Sequence, residues 1–129
     1  MRISKRAEYG LTAMVHLAKN KNKRAISIRE ISNIEGVPFE FLSKIFSDLE
    51  KANLVTAKHG AAGGYYLAKP AREITAGKIV EALEGKITPV NCSMCSKADK
   101  CASKNVWDKV KKSLSKTLYS IKLADLVKN

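Results

Sequence analysis

With 129 residues, of which 45% are apolar and 28% charged, the chain suits one compact domain with an extension and is too apolar for a disordered tail. Lys and Arg outnumber Asp and Glu by 24 to 12, a net charge of +12 that points to a polyanionic partner, nucleic acid or, less often, acidic lipid. No apolar run approaches the roughly 18 residues of a membrane span, and Glu8 interrupts the N-terminus where the apolar core of a signal peptide would sit, so a cytoplasmic location is expected.

In chain order, Tyr9, Leu11, Met14, Val15 and Ala18 recur at helical spacing and predict a first helix over Lys5–Lys19, closed by the polar turn Asn20–Arg24. Ala25 and Ile26 read as a short strand. Ser27-Ile28-Arg29-Glu30 is a capping box, in which hydroxyl and carboxylate satisfy each other's backbone donors. It opens a second helix with Ile28, Ile31 and Ile34 as its apolar stripe and Gly36 as its left-handed end. Pro38, at a first-turn position, then starts a third helix over 39–52. Phe41, Leu42, Ile45, Phe46 and Leu49 form its buried face, with Glu40, Ser43, Lys44, Ser47 and Lys51 largely on the other.

Two such helices joined by a tight Gly-Val-Pro turn have the sequence form of a helix-turn-helix. The β-prone segments Leu54–Lys58 and Tyr65–Ala68 flank His59-Gly60-Ala61-Ala62-Gly63-Gly64, so a hairpin follows the third helix directly, as a wing does. The glycines do not form a nucleotide cradle: the Gly-Lys-Ser/Thr ending is missing, and a strand follows where a helix is required. Their structural role is a tight turn, and their functional role is to let Lys58 and His59 reach a DNA groove. Beyond Pro70, Thr75 caps a fourth helix over Ala76–Leu83, with Ile79, Val80 and Leu83 buried and Gly85 at its end. Residues 86–101 read as irregular. A long helix over Ala102–Leu118 carries the stripe Val106, Trp107, Val110, Leu114 and Leu118, which either a two-fold partner or its own domain would cover.

Charge follows the same division. Residues 1–60 hold 11 basic and 6 acidic groups, 61–90 hold 4 and 3, and 91–129 hold 9 and 3, so both ends are electropositive. A solvated lysine surface would explain the charge alone. The only cysteines are Cys92, Cys95 and Cys101. Three thiols so close together in a reducing compartment read as ligands before they read as a disulfide framework. Zinc, a redox dithiol at Cys92-x2-Cys95 and free thiols are the other readings. Structural zinc sites usually supply two ligand pairs, and this dithiol does not open the helix of a βαβ unit.

Met1-Arg2-Ile3-Ser4 with Tyr9-Gly10, the stretch from Phe41-Leu42 to Leu49, the wing Gly60-Ala61-Ala62-Gly63-Gly64-Tyr65, and Ile74-Thr75 with Leu83-Glu84-Gly85 together resemble the IscR/NsrR/CymR family, also called the Rrf-two family. The resemblance spans essentially the whole chain, and the wing is its most specific part. It implies a mostly α fold with a small β-hairpin wing, a winged helix-turn-helix plus a long C-terminal dimerisation helix, acting as a bacterial transcription regulator. The implied division is a DNA-binding domain over 1–85, a cysteine-bearing loop over 86–101, and a dimerisation helix with the C-terminal segment over 102–129.

Many members hold an iron-sulfur cluster, [2Fe-2S] or [4Fe-4S], on three cysteines before the long helix. Cys95-x5-Cys101 followed by Trp107 is similar to that pattern, whereas Cys92 lies nearer Cys95 than its counterpart usually does. Thiolates suit iron, but a cluster usually has four ligands. In the IscR branch the fourth is a histidine three residues after the last cysteine, and Lys104 stands there in this chain. Other branches use an acidic residue on the partner subunit's first helix, which the resemblance places at Glu8. The alternative for Glu8 is a solvated carboxylate paired with Lys5 or Thr12.

The resulting expectation is a homodimeric repressor binding a pseudo-palindromic operator in double-stranded DNA and sensing redox state, nitric oxide or iron-sulfur status through the cluster. Glu40, Ser43, Lys44 and Ser47 would face the major groove. Lys58 and His59, with Gly60, Gly63 and Gly64 shaping the wing, would approach the minor groove, and Ser27 and Arg29 would hold the backbone. Ser43 replaces a longer acidic or amide residue common in the family, so base preference does not carry across. The alternatives are a cluster-free regulator of cysteine metabolism like CymR and a small iron-sulfur electron carrier. No nucleophile set suggests an enzyme.

Overall fold

A computed structural model describes residues 3–20, 24–87 and 102–127. Helix α1 (Lys5–Ala18) is followed by α2 (Ile28–Glu35), α3 (Phe39–Lys51), strands β1 (Val55–Lys58) and β2 (Gly64–Leu67), α4 (Ala76–Glu84) and α5 (Lys104–Ser120). Short 3-10 turns occupy Ala71–Glu73 and Leu123–Val127. The fold is mostly helical with a two-stranded antiparallel hairpin directly after α3.

Local chemistry sets the boundaries. The Ser4 hydroxyl accepts a hydrogen bond from the Ala7 N–H at 3.2 Å and starts α1. The Ser27 hydroxyl accepts from the Glu30 N–H at 3.0 Å and starts α2. Only half of the expected capping box forms, because the Glu30 carboxylate turns to Arg24 at 3.5 Å. Gly36, at φ 70°, ends α2, and Pro38 caps α3 from one position outside it. Asn53, at φ 61°, makes the left-handed step that turns α3 into β1, a conformation asparagine tolerates better than most residues.

The core joins Met14 of α1, Ile31 of α2, Leu42, Ile45, Phe46 and Leu49 of α3, and Ile79 of α4, all without solvent contact. Three expectations from the sequence need correction here. The inward face of α1 is Ala7, Gly10, Ala13, Met14 and Leu17, while Tyr9, Leu11, Val15 and Ala18 lie on its flanks. The cause is close approach: a Cβ on Gly10 would run into the Leu83 side chain of α4, so small residues line the contact. Ile34 is 64% exposed, because α2 stops at Gly36 and Val37 enters the core in its place. Val80 is half-buried.

The strand expected at Ala25–Ile26 is a single bridge, with Ile26 and Tyr65 exchanging both backbone hydrogen bonds at 2.9 and 2.8 Å. It fastens the entry of α2 to the wing. Phe46 stacks on Tyr65 at 4.7 Å between centroids, so α3 and the wing are also joined through side chains. The turn Leu123–Val127 returns to the same core: Leu123 is fully buried, and its N–H donates to the Ile74 carbonyl at 2.7 Å. Helix α5, by contrast, buries none of its residues. Among the described residues, no helix is long and apolar enough to cross a membrane.

Candidate nucleic-acid interface

Helix α3 is split by its own periodicity. Leu42, Ile45, Phe46 and Leu49 are sealed in the core, which leaves Glu40, Ser43, Lys44 and Ser47 exposed on the opposite face. Arg6 of α1 fixes the helix from behind, bonding to Asp48 of α3 while its Nε donates to the Leu83 carbonyl at 3.4 Å. The exposed face is therefore presented by a helix tied to both α1 and α4.

The wing depends on its glycines. A Cβ on Gly63 would collide with the carbonyls of Lys58 and Gly60, and one on Gly64, at φ 153°, would collide with the Ile26 carbonyl. With hydrogen in those places the loop folds tightly, and Lys58, His59 and Gly60 are held exposed at its tip. The wing, the entry of α2 and the first residue of α3 enclose a shallow groove of about 360 Å³, bordered by Ser27, Arg29, Lys58, His59, Gly63 and Gly64. Ser27 is half-buried by its capping role and keeps its own O–H as a donor. Arg29, Lys44 and Lys58 make no ion pair among the described residues, which leaves three cations uncompensated on this side.

One wall of the groove went unnoticed in the sequence reading. Phe39, the first residue of α3, is 40% exposed and carries the Arg29 guanidinium over its ring, 4.9 Å from the centroid. Its place just after Pro38, at the start of the exposed helix, was the available signal.

Tyr65 beneath the wing has its phenol pushed above the ordinary range, first by burial and then by the Glu50 carboxylate. Tyr119, near the end of α5, is raised by its hydrogen bond to Glu81 of α4, then by burial and by the charge of the same carboxylate. Its ring lies where a Cβ on Gly77 would come within 2.6 Å, so Gly77 makes room for the α4–α5 joint.

Glu8 is a solvated side chain, 53% exposed and paired with Lys5 at 3.4 Å. Cys92, Cys95 and Cys101 lie outside the described residues. Among the described residues no group of three or more His, Cys, Asp or Glu comes together, so nothing there assembles a metal site. His16 meets Glu35 of α2 at 3.0 Å and serves to join two helices.

The family model Rrf2, described as an iron-dependent transcriptional regulator, matches residues 3–129. The chain belongs to this family. It is 31% identical over 133 residues to the protein named Rrf2 of Nitratidesulfovibrio vulgaris, covering all of this chain and 89% of that one. It is likewise 31% identical over 132 residues to the HTH-type transcriptional regulator IscR of Serratia proteamaculans, covering all of this chain and 80% of the relative. Among solved structures it is similar to CymR, the global cysteine regulator of B. subtilis, at 33% identity and a TM-score of 0.83 over 98% of this chain and 96% of that one. IscR of T. potens gives 35% identity and a TM-score of 0.82 over 98% and 86%. The regulator thus has a winged helix-turn-helix fold, belongs with DNA-binding transcription factors and is not an enzyme.

Proposed function

We propose that this regulator reads a pseudo-palindromic operator as a homodimer, with α3 in the major groove and the wing at the adjacent minor groove. The observation that carries the reading is the groove where the wing, the α2 entry and the start of α3 meet, bordered by cations that no carboxylate neutralises. Glu40, Ser43, Lys44 and Ser47 face base edges or nearby phosphates, Lys58 and His59 enter from the wing, and Ser27 and Arg29 hold the backbone. The working units are residues 1–85 for binding, 86–101 for sensing and 102–129 for dimerisation. A second copy is the occupant that suits α5, whose Val106 is 54% exposed and whose Trp107, Val110, Leu114 and Leu118 are only partly covered. Two-fold symmetry sets the half-sites one helical turn, roughly 34–36 Å, or a multiple apart.

The sensing element would be an iron-sulfur cluster, which Cys92, Cys95 and Cys101 would hold with Glu8 of the partner subunit as fourth ligand. Three soft thiolates and an exposed carboxylate are a donor set of the kind iron accepts. When bound, such a group supplies a centre that oxygen, nitric oxide or iron shortage alters. Cys92, Cys95 and Cys101, which lie in sequence between the DNA-binding domain and the dimer helix, would hold it, and the chain's part would be to couple its loss to the balance between two arrangements of the reading heads. A second reading, a cluster-free regulator of cysteine metabolism, is favoured by one observation, the similarity to CymR across nearly the whole chain.

Anaerobic isolation followed by an absorption spectrum and iron and sulfide analysis separates these two readings. Operator binding itself is tested by duplex binding over a salt series, with the assembly state followed by sedimentation. The expected result is a dimer whose affinity falls steeply with salt. Affinity indifferent to salt, or a monomer that binds as well, overturns the proposal.

A further inference from the structure

Phe39 sets a problem that phosphate binding does not solve. It is a large aromatic, 40% exposed, standing in a groove that it shares with the cationic or polar Ser27, Arg29, Lys58 and His59 as well as with the smaller apolar surfaces of Ile28 and Ala57. An apolar ring adds nothing to the capture of phosphate, and leaving it in water is unfavourable. It is also not loose. The guanidinium of Arg29, from the helix on the other side of the Gly36–Pro38 turn, lies 4.9 Å from the ring centroid. Arg29 has no carboxylate partner among the described residues, so its planar group is stacked while its N–H donors stay available.

In a duplex the apolar feature offered at the base edges of the major groove is the thymine C5-methyl group, and a phenylalanine ring is one of the side chains that reads it. The N-terminal residues of a reading helix are those that meet base edges, and Phe39 is the first residue of α3. We infer that Phe39 reads a thymine methyl in each half-site, and that Arg29, stacked on the ring, positions it while its N–H groups take an adjacent phosphate. The inference rests on α3 being the helix that enters the major groove. It adds a specificity-determining residue to the polar face already described and gives Arg29 a second role.

The test needs no knowledge of the natural operator. A randomised duplex library is selected on the full-length dimer, and each thymine of the enriched sequence is then replaced in turn by deoxyuridine, which removes only the methyl. The wild-type protein is expected to lose about fourfold in affinity at one symmetry-related position, the scale of one methyl group leaving apolar contact. Phe39→Ala is expected to bind the thymine and uracil duplexes equally. Arg29→Lys keeps the charge but not the planar stack, and is expected to keep the salt dependence while losing most of the discrimination. If no uracil substitution affects the wild type, or if Phe39→Ala keeps the same discrimination, the inference is wrong and the ring serves the sugar-phosphate backbone or packing alone. The wild-type measurement decides this even if a variant fails to fold. Failure of the wild type to enrich any duplex is a different result, and it removes the DNA-reading proposal beneath this one.

Discussion

Lys44 stands on the exposed face of α3, next to Ile45, which is fully buried. In the proposed complex, reversing its charge would remove a favourable contact to DNA and add a repulsive one, without disturbing a packed atom. Lys44→Glu is expected to weaken duplex binding by at least the ~1–3 kcal/mol typical of losing one specific contact, with an unchanged thermal unfolding curve. Fluorescence anisotropy beside a melt checks both halves, and undiminished affinity would move Lys44 out of the interface. Gly64 makes the opposite case. A Cβ there meets the Ile26 carbonyl, in the bridge that ties the wing to α2, so Gly64→Ala is expected to cost about 1–3 kcal/mol of stability, measured by denaturant unfolding. The two positions also show which residues a sequence reveals. Charge and glycine are legible because their chemistry is local: a lysine opposite an apolar stripe faces out, and clustered glycines imply a turn. Phe39 was not legible, since an aromatic at a helix start reads as core until its surroundings are known. The inward face of α1 was hidden for a related reason, because Ala7, Gly10 and Ala13 are buried by how close α4 comes and not by their own apolar bulk.

Among the elements, those with a periodic or capped signature were readable to within a residue or two. Helices α2, α3 and α4 announce their starts by Ser27, Pro38 and Thr75, and α2 and α4 announce their ends by Gly36 and Gly85. The turn Leu123–Val127 has no such period and was missed, although it carries a fully buried leucine and bonds to the start of α4. Together with Tyr119, this turn fastens α5 to the body of the protein: Ala76 donates to the Ile121 carbonyl at 2.8 Å, and the Tyr119 hydroxyl donates to Glu81. That hydroxyl gives the joint a pH dependence. Both Tyr119 and Tyr65 titrate higher in the folded protein than at the ordinary value of 10.0, so the folded state prefers their neutral forms. Their contribution to stability is complete below pH 10 and is lost as pH rises through the raised folded values, where a Tyr119 phenolate would face the Glu81 carboxylate. Tyr119→Phe is expected to lower the melting temperature slightly at neutral pH, where the Glu81 hydrogen bond is lost, and to flatten part of the alkaline fall in thermal stability. A variant that declines with the same slope above pH 10 would show that the Glu81 bond is not what the phenol senses.

For the whole molecule, the question is how an event near the cysteines reaches the reading helix. The core is continuous from α3 through α1 and α4 to the turn after α5, so the end of α5 is anchored to the same body that presents Lys44 and the wing. Over most of its length, however, α5 carries an apolar face that the described residues of its own domain cover only in part. In the proposed dimer a second copy on that face would set the separation of two reading heads, and a ligand set shared between the subunits, three thiols from one and Glu8 from the other, would bias that separation. Such coupling needs ligands on both sides of the interface; a group held within one chain has less purchase on it. Cys101→Ala therefore has two separable consequences. Because folding rests on a core assembled from other residues, the variant is expected to remain a folded dimer with an unchanged melting profile. Because one of three thiolates is gone, anaerobically isolated protein is expected to hold little or no iron and sulfide, and its DNA affinity should no longer differ between anaerobic and oxidised samples. Full iron content would remove Cys101 from the ligand set. A cluster-free wild type whose affinity still responds to oxidation, with the response abolished in Cys101→Ala, would instead place the sensing chemistry on the thiols themselves.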